Sequence, residues 1–291
     1  MTTAFIFGAT GKIGGALVRQ LEPLAKSGQI ELRLGVRSVA RASQMLGQTA
    51  AHLVEFDLDT PDRAHKDAIA GTDTMFLLTG YTVDMLAQSK YAIDTAKRAG
   101  VGHIIHVGVH SEPDSINAHI GWHQFVEAYI ERSGMSWTHL RPNWLMQNIR
   151  KYLRREGEEL VLTTYLPENL RVSWIDAEDI GTAGAAIIRD PGAHAEAIYP
   201  LASVASNMGE VCQIVAETFR LTCRYHEMTK EEFRGHEGSD PYHRSSRHYY
   251  EQLREGGIPE CDQIFDFQSL TGQPPRSWRQ FMLANISPDK L

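Results

Sequence analysis

At 291 residues the chain is long enough to bury a full core, as one large domain or two modest ones. Its net charge of −7 at pH 7 argues against nucleic acid as a main partner, and no apolar run approaches the ~20 residues that cross a bilayer. The first residues read as a core strand with no basic leader or cleavage site. Cys212, Cys223 and Cys261 are odd in number and widely spaced, which fits a reducing compartment better than a disulfide framework. A cytoplasmic protein acting on a small molecule, as monomer or homodimer, is the expectation. The thirteen histidines are scattered, none paired with a carboxylate at zinc-enzyme spacing, so no metal site is expected.

The chain begins with an apolar strand, Ala4–Phe7, that runs directly into Gly8, Gly11 and Gly14 and then into the amphipathic stretch Ala16–Leu24. That order suits a dinucleotide. Gly8 permits a tight turn, Gly11 lets backbone approach a pyrophosphate, and Gly14 lets helix pack on strand. The helix start, with Thr10, Lys12 and Ile13, then offers N–H groups and partial positive charge to the phosphates. A second strand, Ile30–Val36, ends at Arg37-Ser38, with Arg41 one helical turn on. Sites that prefer NAD usually place a carboxylate there for the ribose hydroxyls. Here a guanidinium stands in its place, and no carboxylate lies between Leu32 and Ala51. Arginine suits a 2′-phosphate through bidentate charged hydrogen bonds, so NADP(H) is the expected cofactor.

Strands then alternate with helices: strand His52–Asp57, helix Asp62–Ala70, strand Thr74–Thr79, helix Met85–Ala99, strand His103–Gly108, a helix from about Ile120 to Arg132, and strand Ser136–Leu140. This beat predicts an α/β protein with a Rossmann-type, doubly wound parallel sheet. Such sheets bind ligands beyond the carboxyl ends of their strands. By position, Asp57, Leu58, Thr79, Gly80, Val107, Gly108, Pro142 and Asn143 join the cofactor candidates. Tyr81, Trp144 and Met146 join the substrate candidates; the stripe at Trp144–Asn148 reads equally as core.

Beyond Asn148 the pattern loosens. Residues 1–150 read as the cofactor domain. Residues 151–291 read as a smaller α/β lobe for substrate, with segments around 173–201 returning to the main domain. Ser173–Asp176 is a short buried stretch, Asp179–Ile188 and Asn207–Phe219 are helices, and Ala197–Leu201 can extend the main sheet. Gly235–Tyr242 is polar enough for a mobile loop.

The ordered set Gly-Ala-Thr-Gly-Lys-Ile-Gly, Val36-Arg37, Phe56-Asp57-Leu58, Val126-Glu127, Thr138-His139-Leu140-Arg141-Pro142 and Trp174–Ile180, with Leu270–Ser277 and Phe281 near the end, resembles the NmrA-like family of atypical short-chain dehydrogenases/reductases. The resemblance spans essentially the whole chain. It implies a Rossmann domain, a small second domain and NADP(H) binding. Members include quinone, dye and phenolic-ether reductases, and also regulators that only bind nucleotide. Two functions therefore stand: an NADPH-dependent reductase of a small conjugated or aromatic acceptor (quinone, enone, imine or carbonyl), or an NADP(H)-binding redox sensor without turnover.

Short-chain reductases ordinarily carry a Tyr-x-x-x-Lys pair on the helix around residues 118–127, the Tyr as proton donor and the Lys as its activator. That pair is missing here. Aligned on Val126-Glu127, His123 falls at the position where relatives often carry the ribose-binding lysine, and His119 lies one turn earlier on the same face. These two are the catalytic candidates, with imidazole titration expected near 6.5; equally, either can be a surface or cap residue. Ser111 falls where relatives place a substrate-orienting serine. Glu127 reads as an anchor for its helix, and Asp176 and Asp179 as helix caps.

Overall fold

The computed structural model describes residues 1–80, 82–235, 241–256 and 262–291. In chain order its elements are β1 (Thr2–Phe7), α1 (Lys12–Lys26), β2 (Ile30–Val36), α2 (Val39–Leu46), β3 (His52–Glu55), α3 (His65–Ala68), β4 (Thr74–Leu77), α4 (Met85–Ala99), β5 (His103–Val107), α5 (Ala118–Glu131) and β6 (Ser136–Pro142). There follow β7 (Trp144–Leu145), β8 (Leu153–Glu156), β9 (Glu159–Thr164), β10 (Val172–Ile175), α6 (Ala177–Arg189), β11 (Ala197–Leu201), β12 (Val204–Ser206), α7 (Met208–Phe219), β13 (Thr222–Glu227), α8 (Lys230–Gly235), α9 (Pro241–Arg254), α10 (Phe267–Thr271) and α11 (Trp278–Asn285).

Two compact units emerge: residues 1–142 with 178–200, and residues 143–177 with 201–291. In the first, seven strands form one sheet in the order β11-β6-β5-β4-β1-β2-β3, with β1 through β6 paired in parallel. The crossover from β3 to β4 on the far side of β1 is the reversal that creates a ligand crevice in doubly wound sheets. The strands are nearly continuous apolar runs, as a sheet covered on both faces requires. Phe5, Phe7, Met75, Leu77 and Ile104 pack against the α4 and α5 residues Ala92, Ile93, Val126 and Ile130. Burying side chains of this size stabilises by about 1.5–3 kcal/mol each.

Helix α6 lies flush on α1 because Gly181 has no side chain. A Cβ there would stand 2.7 Å from the backbone carbon of Ala16. This is why the chain returns to the first unit after β10.

The second unit holds two small sheets, ordered β12-β10-β7 and β13-β9-β8. Strands β8 and β9 form an antiparallel hairpin turned by Gly157 at φ +64°. Its core gathers Met146, Leu162, Trp174, Val211, Trp278 and Phe281. Helix α7 opens with a capping box, in which Asn207 and Glu210 each receive a backbone N–H from the other. The thiols of Cys212 on α7 and Cys223 on β13 hydrogen-bond, which together with burial raises the Cys212 thiol and, against burial, lowers that of Cys223.

Several expectations need correction. The break falls between Pro142 and Asn143 rather than at 150, because Asn143 is already tied into the second unit through Leu201 O at 2.9 Å and Ser173 Oγ at 2.7 Å. The returning segment is residues 178–200; Ser173–Ile175 stays behind because β10 pairs with β12 and β7. The helix expected at Asp62–Ala70 shrinks to α3. Gly235 and Tyr242 belong to α8 and α9, and the middle of that expected loop, like Tyr81 and Cys261, lies outside the described residues.

Two glycine-to-alanine changes should part company in urea unfolding. Gly181→Ala forces a Cβ into Ala16 and should destabilise by about 1–3 kcal/mol. Gly121→Ala, within α5 and with nothing within 4 Å of the new Cβ, should stabilise by about 0.5–1 kcal/mol.

Candidate cofactor cradle and the buried histidine seam

At the carboxyl end of β1 the chain turns through Gly8 at φ +73°, a conformation that strains any residue with a Cβ. Gly11 N–H closes the turn onto Gly8 O at 2.9 Å. At Gly14 a Cβ would sit 2.2 Å from the Gly8 carbonyl oxygen, so no side chain fits. Gly11 is the N-cap of α1 and supplies no side-chain cap. Thr10, Gly11 and Lys12 are exposed while Ile13 is buried beneath them. Helix α1 thus presents a bare, positive N-terminus to solvent, which is the surface a pyrophosphate requires. The geometry fits that group.

Arg37 and Ser38 are exposed just past β2, at the start of α2. The Ser38 hydroxyl accepts the Arg41 N–H at 3.3 Å, so its side chain caps α2 while the Arg37 side chain stands in solvent. Past β3, Asp57 and Leu58 are half-buried, and the Asp57 carboxylate accepts Asp59 N–H at 3.0 Å. Thr79 and Gly80 follow β4, half-buried and exposed respectively. Val107 is buried at the end of β5, and Ser111 is half-buried beyond it. Pro142 ends β6 and is buried, its carbonyl accepting His110 N–H at 2.9 Å.

Gly108 does something the glycine reading misses. A Cβ there would lie 2.7 Å from Glu127 Oε1 and 3.6 Å from His106 Nδ1. Its bareness makes room for a buried carboxylate.

Asn143, Trp144 and Met146 belong to the second unit. Trp144 packs edge-on against Trp174 and Tyr250, at 5.3 Å from each. Its indole N–H donates to Tyr249 Oη at 3.3 Å. Met146 is fully buried in that unit's core, so it packs there and shows no face to solvent.

Helix α5 begins at Asn117, whose side chain accepts the N–H groups of His119 and Ile120. His119, His123 and Glu127 follow at four-residue steps, and all three are buried. They face β5 and β6. The rings run as a seam: His119 to His123 at 4.9 Å, His123 to His106 at 5.8 Å, and His106 to His139 at 5.6 Å. His139 stacks on Trp137 at 4.4 Å. The seam shares its end with Glu127, which binds the Arg141 guanidinium through Nε (3.1 Å) and Nη2 (2.6 Å).

Burial sets the charge states. His119 is pushed down to about 4 by desolvation alone. His123 is driven well below the ordinary histidine range by burial, then by His106 and His119. His106 moves the same way by burial, with His139 and Arg141 adding to it, and His139 falls to about 3 through burial and Arg141. The Glu127 carboxyl is raised by burial, against the pull of Arg141.

These facts correct the sequence reading in two ways. His119 and His123 do share a face, but they are neutral at physiological pH, so titration near 6.5 does not apply. A neutral imidazole is a poor acid and a good hydrogen-bonding group. Glu127 does anchor its helix, though to the Arg141 side chain rather than to backbone. Asp176, just before α6 and fully buried in the second unit, accepts a hydrogen bond from Gln147 Nε2 at 2.5 Å and pairs with Arg276 at 3.2 Å. His106 and His139 went unnoticed in the sequence because each sits inside a strand read as core; their signal was a polar residue within an apolar run.

A profile of the NmrA-like family matches residues 2–250, and the chain belongs to that family. It is 32% identical over 237 residues to an NAD(P)H azoreductase of Xenophilus azovorans, covering 78% of this chain and 77% of that one. Among solved structures, the triphenylmethane reductase of Citrobacter sp. in complex with NADP(H) superposes with a TM-score of 0.80 at 21% identity, covering 98% of this chain and all of the other. The NADPH-dependent quinone oxidoreductase of Escherichia coli in complex with NADPH gives 0.76 at 20%, covering 97% and 99%. NmrA, a negative transcriptional regulator solved with NADP, gives 0.77 at 18%, covering 99% and 96%.

Stability should fall in acid. His103, also lowered to about 4 mainly by burial, is held by Ser136 and Thr138 at 2.9 and 3.0 Å. Together with the seam it stays neutral in the folded chain, whereas the unfolded chain takes up protons below about 6.5. The unfolded state then binds more protons, so stability is complete above pH 6.5 and is lost as pH drops toward 4. Each buried histidine steepens that loss by at most about 1.4 kcal/mol per pH unit. Urea midpoints measured from pH 8 to pH 4.5 should decline steeply below 6.5, and His119→Phe should flatten the decline. A flat profile would contradict the neutral, buried state.

Proposed function

We propose that the protein is an NADPH-dependent reductase of a flat, conjugated acceptor of the azo, quinone or triarylmethane type. The observation that carries this reading is the bare glycine cradle at the start of α1 with Arg37 exposed after β2, in a chain 32% identical to an NAD(P)H azoreductase.

The chain's own residues divide the work. The N–H groups at the start of α1 take the pyrophosphate, and Gly8 and Gly14 keep the loop low enough for it to approach. Arg37 and Ser38, with Lys12 beside the loop, take the 2′-phosphate that distinguishes NADPH from NADH. Asp57 and Leu58, Thr79 and Gly80, and Val107 with Pro142 edge the crevice past their strands, and Asn143 begins the next unit. The bound nicotinamide supplies a hydride. His123 serves as a neutral hydrogen-bonding group toward the ribose, in the position where relatives often carry lysine, with His119 holding its ring.

The helix lacks a Tyr-x-x-x-Lys pair, and burial keeps its histidines neutral, in which form they are poor acids. A localised alkoxide would therefore have no strong donor. Azo, quinone and triarylmethane acceptors spread or neutralise the arriving charge, so water can complete the protonation. This favours conjugated acceptors over simple ketones. Ser111, half-buried beyond β5, is the substrate-side candidate of the first unit.

Loss of NADPH absorbance against a panel of azo dyes, quinones, triarylmethane dyes and simple aldehydes tests the activity. Turnover with conjugated acceptors and none with aldehydes is expected. Tight NADPH binding without any turnover would instead favour a nucleotide-sensing role, as in the regulator of similar fold.

Arg37→Asp should weaken NADPH binding by on the order of 2–4 kcal/mol and leave NADH binding nearly unchanged. Calorimetric titration of both nucleotides checks it, and equal losses would remove Arg37 from the phosphate site. His123→Ala should cost turnover and cofactor affinity together, without a histidine-like step near pH 6.5 in the rate profile. Such a step in the wild type that vanishes in the variant would restore an acid role.

A further inference from the structure

We propose that His106, His139 and Glu127 form a binding site for a borderline divalent transition ion, of the class of Zn²⁺ or Co²⁺. The three come from different elements of the first unit and converge by construction. His106 on β5 and His139 on β6 are register partners in the parallel ladder, so their side chains leave the same face of the sheet side by side. Glu127 descends onto them from α5. One donor atom from each lies within 4.8 Å of the others, and all three residues are buried.

A second, independent observation points to a ligand. Neither ring nitrogen of His106 nor of His139 makes a hydrogen bond among the described residues, although the two residues are 1% and 0% exposed. His139 has only a 3.5 Å approach of Nε2 to Glu131 Oε1. Buried polar atoms left without partners cost about 1–3 kcal/mol each. A cation can take the lone pair of the unprotonated nitrogen of each neutral imidazole, which makes the two rings ready ligands.

Space for the ion exists because position 108 is glycine. Its missing Cβ is the point on which Glu127 Oε1 and His106 Nδ1 close, at 2.7 and 3.6 Å. Two nitrogens and one carboxylate oxygen suit Zn²⁺ or Co²⁺ far better than Mg²⁺ or Ca²⁺. Tetrahedral donors around zinc stand roughly 3.4 Å apart, given bonds of about 2.0–2.1 Å, so the three must draw in by about an ångström through side-chain torsions.

Arg141 opposes the ion. Its guanidinium holds both Glu127 oxygens at 3.1 and 2.6 Å, and its positive charge weakens any cation there. Being a quarter exposed, it can swing toward solvent while one carboxylate oxygen turns to the metal. The site is thus one in which Arg141 and a divalent ion compete for Glu127.

The untagged full-length protein, incubated with excess Zn²⁺ and then desalted, should retain a single ion per chain by elemental mass spectrometry. X-ray absorption at the zinc edge should show two imidazoles and a carboxylate oxygen. No retained ion, or a shell with sulfur or without imidazole, would overturn the proposal on the wild type alone. The double variant His106→Gln/His139→Gln should lose retention by at least about tenfold, and Gly108→Ala should weaken it with every ligand still present. His226→Gln, at the half-exposed His226 of the second unit, should retain the ion. Undiminished retention in the double variant, with native near-UV dichroism, would also overturn the site.

Discussion

Backbone meeting backbone at the start of α1 is the constraint on which the first unit depends. Gly14 lies so close to the Gly8 carbonyl that a methyl group could not stand between them. On another face of the same helix, Gly181 of α6 leaves equally little room beside Ala16, and Gly184 beside Phe76 and Leu17. Strand, helix and helix are therefore stacked at distances only glycine allows. That stack aims β1, an interior strand of the sheet, at the start of α1, where helix amides have no intrahelical partner. Dense packing transmits any displacement, so a change at Gly181 bears on the cradle without touching it.

The histidine seam under α5 is the opposite kind of interior. Imidazoles and an ion pair replace the aliphatic side chains usual at such an interface, with desolvation as the cost and neutrality as the outcome. Removing Arg141 alone would strand the Glu127 charge, the situation in which a buried ion pair becomes indispensable even where its formation gains little. A helix seated by polar contacts has a defined rotation about its axis. It also carries proton-linked chemistry that a leucine seam would lack. The helix that carries this seam has no Tyr-x-x-x-Lys pair.

Much of this was legible in residues 1–142. The glycine spacing, the unbroken apolar strands and the 15-residue α4 are local signals, and apart from the shortened α3 the elements fell close to their expected places. Arg37 was legible for the same reason: a strand end followed by a guanidinium is a local pattern with a local meaning. The second unit was harder to read. Its strands are short and its hairpin turns at Glu156-Gly157-Glu158 amid charged residues, so Ser173–Asp176 and Asn207–Phe219 stood out while the hairpin did not.

By itself the sequence determined the fold class and the glycine turn between β1 and α1, because these rest on periodicity and on contacts between residues close in the chain. The tertiary structure alone decided what the histidines are. His106, His139 and the α5 pair His123 and Glu127 lie on three separate elements and meet only through the β5–β6 register and the docking of α5. Their burial, and hence their neutrality, is a property of that assembled interface. No spacing rule records it, since the dielectric around a side chain is set by whatever packs over it and not by its neighbours along the chain.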